Sequence, residues 1–211
     1  MYRLLSGIFM GWSLGSNDSA NIFGTAVFSK KIRYRTAVIL CAVFVIVGAL
    51  LEGRAGMRTL SGLVDQTADS AFAATLAAAL TVTLMSILKL PVSTSQAMVG
   101  AIIGIGILRG QVNLSGLSKV VTAWIATPVG TIVVSLLFYP LIGRFLRLLK
   151  LNIFTRDLVL KWGLIIAGCY GAYALGANNV ANVTGVYTQT GQLTVFPVSY
   201  THLRAHETKA N

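Results

Sequence analysis

The chain has 211 residues, of which 55% are hydrophobic and 11% charged, and its mean hydropathy is +0.75. Soluble domains carry about 25% charged residues, so this composition excludes an ordinary soluble protein and indicates an integral membrane protein. The net charge of +11 does not indicate nucleic-acid binding, because the basic residues flank apolar runs as they do in membrane loops.

Six apolar stretches predict helices in the membrane. They cover residues 4–29, 36–51, 71–88, 90–108 and 120–143, and a last stretch that starts at Trp162. The stretch at 90–108 is compatible either with a full crossing or with a re-entrant hairpin. These stretches predict an all-α, polytopic protein in a plasma or inner membrane.

An eleven-residue pattern occurs twice, at residues 14–24 and 175–185, with Leu, Gly, Asn, Ala, Asn and Gly in the same places. We call these segments motif 1 and motif 2. Carboxamides and carboxylates are costly in hydrocarbon, and Gly next to Asn favours a broken helix whose free backbone groups face a cavity. Such breaks in two repeats are typical of a transporter binding site, so the fold class becomes an inverted-repeat secondary transporter with discontinuous helices.

Two basic clusters, at residues 30–35 and 144–161, predict the orientation of the chain. The positive-inside rule places both on the cytoplasmic side, with four crossings between them, and places Glu52, Asp65 and Asp69 in an outer loop. Five crossings then separate the two motifs, so they run in opposite directions. This parity depends on the stretch at 90–108 crossing the membrane.

Asp18 of motif 1 is the one acidic residue inside a clearly apolar stretch, which favours a functional carboxylate over a structural one. With Asn21 it offers oxygen ligands to Na⁺, or it carries a proton itself. Motif 2 has Asn179 at the corresponding place and offers neutral ligands only. The coupling-ion residues are therefore predicted to be Asp18, Asn21 and Asn179, with Asp18 as the ligand of a bound Na⁺.

A third polar segment follows Pro91, which is favourable in the first turn of a helix. Its hydroxyls and the free backbone N–H groups of a helix start form a cradle for an anion. The alternative is a helix cap followed by a packing face that contains Gly100 and Gly104. The predicted anion ligands are the polar residues of this segment and the Asn residues of the two motifs: Asn17, Asn21, Ser93, Thr94, Ser95, Gln96, Asn178 and Asn182.

These three segments resemble the inorganic phosphate transporter (PiT) family, whose pattern is G-A-N-D-x-A-N in each inverted half and P-V-S-T-[ST]-[HQ]-A downstream. The resemblance covers about residues 4–190. It implies phosphate uptake by symport with Na⁺ or H⁺, at a site between the two halves. It implies no further cofactor, no enzymatic activity and no nucleic-acid partner, with the lipid bilayer as surroundings and a homo-oligomer left open.

Two departures from the family pattern are Ser16 for Ala and Asn179 for Asp. The family's second half carries its own P-V-S-T-like segment, which does not follow motif 2 here, so we expect a fragment. Residues 1–143 would form the first repeat, 144–161 a basic cytoplasmic loop and 162–197 the start of the second repeat. The polar residues 198–211 read as a non-native tail.

Other functions remain open on sequence grounds. A sulfate or other oxyanion permease would use the same hydrogen-bond donors, and a passive anion channel would not need the coupling carboxylate. A membrane scaffold would not explain the repeated motif. An intramembrane enzyme has no support, because the apolar stretches contain no histidine and no nucleophile–base pair.

Overall fold

The computed structural model describes residues 2–190, and almost all of them are helical. A short 3-10 turn (Tyr2–Leu4) leads into six helices: α1 (Leu5–Phe28), α2 (Tyr34–Ser61), α3 (Ala68–Ile87), α4 (Thr94–Arg109), α5 (Leu114–Leu148) and α6 (Ile153–Gln189). The predicted tail at 198–211 lies outside the described residues. The all-α class is confirmed.

Four helices, α2, α3, α5 and α6, are long and apolar enough to cross a bilayer, while α4 is apolar but shorter. The chain is therefore a multi-pass membrane protein. Helix α5 has no buried residue along its 35 residues, so the interior is formed mainly by α1–α4 and α6.

Polar side chains cap the helix starts in the way their sequence positions favour. Each capping oxygen accepts the backbone N–H three residues on, which satisfies a donor that the helix leaves unpaired. The four caps are Thr67, Ser93, Asn113 and Asn152. They fix the starts of α3, α4, α5 and α6.

Helices α1 and α6 pack against each other in opposite directions. Gly7, near the start of α1, faces Tyr187 near the end of α6, whereas Phe23 packs on Gly168 at the other end of the pair. The hydroxyls of Ser6 and Tyr187 are 2.7 Å apart and form a buried hydrogen bond. Because α1 carries motif 1 and α6 carries motif 2, the antiparallel relation of the motifs is confirmed.

Helices α2 and α6 run in the same direction and form the most extensive contact of the described residues. Gly48 lies on the backbone of Tyr173, and Gly176 lies on the backbone of Val45. A Cβ atom at either glycine would overlap the facing carbonyl oxygen. The two backbones can approach this closely only because both positions lack a side chain.

Helices α3 and α4 form a hairpin that is re-entrant. Val92 in its tip (residues 88–93) and the flanking Ser86 and Thr94 are hydrogen-bonded to Asn17 and Asp18, which lie about 17 Å from either end of α1 at 1.5 Å per residue. Its other end lies beside the start of α1, where Arg3 forms an ion pair with Asp69 at 2.9 Å. The hairpin therefore enters from one face and ends near the middle of the membrane.

The re-entrant hairpin corrects the predicted count of crossings. Neither arm of the hairpin crosses, so α2 and α5 alone separate the two basic clusters. Two is still an even number, and Lys31 forms an ion pair with Asp157, which places both clusters at the same face. We call this the basic face; the predicted parity holds although the predicted number of crossings was wrong.

Two segment boundaries also differ from the sequence prediction. Helix α2 continues to Ser61, ten residues past the predicted end, so Glu52 lies within a membrane helix and not in an outer loop. Residues 144–161 are helical except for 149–152, because α5 ends at Leu148 and α6 begins at Ile153. Helices α2, α5 and α6 each extend beyond the charge-free apolar run from which they were predicted, because a charged residue does not end a helix.

The predicted helix breaks are confirmed at Pro91 but wrong in the two motifs, since α1 and α6 are continuous through them. In α1, the hydroxyls of Ser16 and Ser19 donate to Ser13 O and Gly15 O one turn earlier. The motif amides find partners on neighbouring helices. A Gly in a helix costs only about 1 kcal/mol relative to Ala, which these bonds offset.

Candidate functional site

The tip of the hairpin is joined to motif 1 by a set of side-chain hydrogen bonds. Thr94, in the first turn of α4, donates its hydroxyl to Asp18 Oδ2 at 3.0 Å. The Asn17 amide donates to Asp18 Oδ1 at 2.7 Å and to Val92 O at 3.2 Å, and it accepts from Ser86. We call this set junction 1. It holds the carboxylate at the N-terminus of α4, where the helix dipole is positive.

The next residue of α4 joins motif 2 in a similar way. Ser95 donates its hydroxyl to Asn179 Oδ1 at 3.2 Å, and it accepts from Asn182 Nδ2 at 2.9 Å. Asn182 also donates to Asn179 at 2.7 Å and is almost fully buried, with 1% of its surface exposed. We call this set junction 2.

The two junctions use corresponding residues of the two motifs. Asp18 and Asn179 occupy the same place in the repeated pattern, and consecutive hydroxyls of α4 donate to them. The two halves of the site thus share one helix start. They differ in charge, because junction 1 contains a carboxylate and junction 2 a neutral amide.

A cavity of about 460 Å³ lies between α1 and α6 beside both junctions. Its polar lining comes from the motifs, and its apolar lining from small residues and from Ile22 and Leu175. The lining residues are Asp18, Asn21, Ile22, Ala167, Gly171, Ala174, Leu175, Asn178 and Asn179. Asn21 and Asn178, both predicted ligands, are exposed toward this space.

Two predicted ligands lie apart from the junction contacts. Ser93 accepts the backbone N–H of Gln96 at 3.3 Å and serves as the cap of α4, while the Gln96 side chain is exposed.

Gly100 and Gly104 are exposed, and a Cβ added at either position would have nothing within 4 Å of it. The Gly100–Gly104 pair therefore makes no packing contact in residues 2–190, although Ser93 caps α4 and Ala97 and Ala101 of the same helix pack against the core.

Glu52 is a polar residue of the region that the sequence analysis misplaced. It lies on α2 with its side chain exposed, close to the Tyr173 side chain of α6, two residues before motif 2. The correct placement of Glu52 in α2 could have been predicted from Gly48, Gly53 and Gly56. These glycines continue the small-residue face of α2 past Leu51.

The arrangement offers hydroxyl and amide donors to an anion and oxygen ligands to a small cation. Within residues 2–190, no group of three or more His, Cys, Asp or Glu residues lies close enough to hold a metal ion. A cation at this site would therefore rely on one carboxylate and on neutral amide or backbone oxygens. That ligand set suits weak, reversible binding of a hard monovalent ion better than tight binding of a divalent one.

Comparison with known proteins gives a consistent picture. The sequence profile described as the phosphate transporter family matches residues 14–200. The chain is 30% identical over 199 residues to a sulfate permease, CysP, of Bacillus subtilis (strain 168), covering 91% of this chain and 55% of that protein. It is 38% identical over 154 residues to a putative phosphate permease of Haemophilus influenzae, covering 65% and 37% respectively.

A plant relative and a solved structure extend the comparison. The chloroplastic inorganic phosphate transporter 2-1 of Arabidopsis thaliana is 36% identical over 155 residues, covering 67% of this chain and 26% of that protein. A solved structure, titled the sodium-dependent phosphate transporter, matches with a TM-score of 0.75 at 22% identity, over 90% of this chain and 68% of that one. The chain spans about half or less of the length of these curated relatives, and the structural match supports the fold.

Proposed function

The chain belongs to the phosphate transporter family, and we propose that it acts in secondary uptake of inorganic phosphate by symport with Na⁺ or H⁺. This family is a class of transporters and not of enzymes. The observation that carries the proposal is junction 1, in which one hydroxyl of the predicted anion cradle donates to the predicted coupling carboxylate.

The proposed mechanism follows from the charge of junction 1. An empty, ionised Asp18 repels an oxyanion and also occupies the Thr94 hydroxyl as a donor. A bound Na⁺ or a proton neutralises Asp18, which removes the repulsion and frees the hydroxyl to turn toward the anion. The anion is then held by Thr94, Ser95 and the N-terminal N–H groups of α4, with the motif amides around it.

The remaining predicted ligands have distinct parts in this proposal. Asn17 and Asn182 position the two motifs and supply amide donors, and Asn21 and Asn178 share the cavity with Asp18. Ser93 sets the start of α4, and Gln96 follows it. Asn179 gives junction 2 a neutral oxygen, so the proposal places one charged coupling group in this part of the protein.

Phosphate affinity as a function of Na⁺ concentration and pH tests the proposal. Binding is reciprocal, so the cation and the anion each raise the affinity for the other by the same factor, typically about 5- to 150-fold. In the full-length protein, Asp18→Asn should retain the hydrogen-bonded shape and some phosphate binding but lose the cation dependence. Unchanged cation dependence in Asp18→Asn would remove Asp18 from the coupling role.

Sulfate is the second candidate substrate, because a relative matched over 91% of this chain is named a sulfate permease. Sulfate and phosphate are tetrahedral oxyanions of similar size, and the same donors fit both. Phosphate retains a proton near neutral pH and can donate a hydrogen bond to an Asn or Asp oxygen, which sulfate cannot do. Competition of each unlabelled anion against labelled phosphate uptake distinguishes them, and uptake without any cation gradient would favour a passive channel instead.

A further inference from the structure

Lys89 lies at the tip of the re-entrant hairpin, in a backbone conformation that favours glycine. Its φ is 57°, and its N–H donates to Ser86 O at 3.1 Å while Leu90 N–H donates to Met85 O at 2.9 Å. These two bonds close the end of α3. The left-handed conformation costs a non-glycine residue about 1–2 kcal/mol, so a lysine here needs another reason.

Two lysines at the membrane surface have the same left-handed backbone conformation and can be compared with Lys89. Lys30 closes α1 with φ 57°, and Lys150 closes α5 with φ 44°, both on the basic face. All three lysines lie at the negative end of a helix dipole, but only Lys30 and Lys150 also lie at the membrane surface that a cation favours. The corresponding turn after α4 uses Gly110, with φ 65°.

The depth of Lys89 makes its charge costly. The residues on both sides of it are attached to Asn17 near the middle of α1, so Lys89 lies well inside the membrane level and not at its surface. Its side chain is exposed, and within residues 2–190 no carboxylate lies within ion-pair distance of it. Asp18, the nearest acidic residue along the hairpin contacts, is engaged by Asn17 and Thr94. An intramembrane lysine of this kind is functional by default and requires a water-filled surrounding.

We propose that Lys89 is the charge that attracts the oxyanion to the junctions, where neutral donors then hold it. The proposal rests on the anion-transport function above and adds a residue to it. Lys89 follows α3 and precedes the α4 start by only a few residues, so a charge at the tip draws an anion toward Thr94 and Ser95. It also offsets the repulsion that Asp18 exerts on an arriving anion.

The test is phosphate uptake by the full-length protein in proteoliposomes, measured at several ionic strengths. Lys89→Gly removes the charge and fits the backbone, so the fold should not be weakened. We expect KM for phosphate to rise about fivefold or more at low salt with kcat little changed, and the difference to shrink at high salt. Lys89→Gln should give the same rise, and Lys89→Arg should largely restore the original KM.

Lys30→Gly is the matched control, because it removes the same charge from the same backbone conformation at the membrane surface. We expect its KM to stay within about twofold of the unaltered protein, since a surface charge is screened over a Debye length of about 8–10 Å. An equal effect of Lys30→Gly and Lys89→Gly would show nonspecific attraction and overturn the proposal. A normal KM in Lys89→Gly, or a salt-independent loss of folded protein, would also overturn it. Failure of the unaltered protein to take up any oxyanion would contradict the proposed function itself.

Discussion

The contact between α2 and α6 allows a stability prediction that can be worked out atom by atom. In Gly48→Ala, the new Cβ would overlap the Tyr173 carbonyl oxygen, and it would lie 2.8 Å from the carbonyl carbon and 3.1 Å from Ala177 N. Non-bonded carbon contacts are most favourable at about 3.5–4.0 Å, so the helices must separate by roughly 1 Å at this level. All the atoms in the obstruction are backbone, which cannot turn away as a side chain can.

The cost follows from that separation. Overpacking in a well-packed interior costs about 1–3 kcal/mol, and a radial gap of about 1 Å also forfeits up to half of each neighbouring dispersion contact. We expect Gly48→Ala to lower the unfolding free energy by about 3 kcal/mol. Gly176→Ala meets the Val45 backbone in the same interface and should cost a similar amount. Once one substitution has separated the helices, the second costs less, so the double variant should lose clearly less than the sum.

Reversible unfolding in mixed detergent, followed by circular dichroism, measures these differences. Gly100→Ala is the matched control, because that position is helical, exposed and has nothing within 4 Å of the added Cβ. It should be neutral or up to about 1 kcal/mol more stable, since Ala is the better helix former. Gly48→Ala within about 0.5 kcal/mol of the unaltered protein would refute the close backbone contact, and strictly additive losses would refute the shared separation.

Two further predictions concern topology and the hairpin start. In a cysteine-free background, Cys introduced at Lys31 and Lys150 should label from the same side of the membrane, and Cys at Asp65 from the other; labelling of the first two from opposite sides would contradict the fold. Thr94→Ala should weaken phosphate binding and also alter its cation dependence, because this hydroxyl contacts the coupling carboxylate. Ser93→Ala removes a helix cap instead, so it should cost about 1 kcal/mol of stability and leave the cation dependence unchanged; identical phenotypes would argue against separate roles.

The sequence predicted the antiparallel motifs from the two basic clusters, whose placement on one face requires an even number of crossings between them, and it predicted the break at Pro91 from local residue chemistry. A repeated polar pattern shows directly where two helices carry corresponding residues, and proline fixes a helix start. The same local chemistry gave the wrong result inside the motifs. The amides of Asn17 and Asn182 are satisfied by residues far along the chain, which a local pattern cannot reveal.

The sequence left a re-entrant hairpin open for residues 90–108 but could not decide between it and a full crossing, for a related reason. A stretch of apolar residues has the same composition whether it crosses a bilayer or returns from its middle. The choice between crossing and returning depends on the attachment of the hairpin tip to the centre of α1. That attachment includes the hydrogen bonds of Ser86 and Val92 to the Asn17 amide, which lies far away along the chain. Glu52 was misplaced because a charge ends an apolar run in sequence but does not end a helix whose small residues continue to pack.

The two junctions have a consequence for how far the motif helices can move. Thr94 and Ser95 are consecutive, so their Cα atoms are about 3.8 Å apart, yet one holds α1 and the other holds α6. A single peptide unit therefore connects two helices that run in opposite directions and also pack on each other directly. Neither helix can slide or tilt at this depth without releasing one of the two hydroxyls. A movement of α1 relative to α6 at this depth would therefore free the hydroxyl of Thr94 or Ser95 as a hydrogen-bond donor.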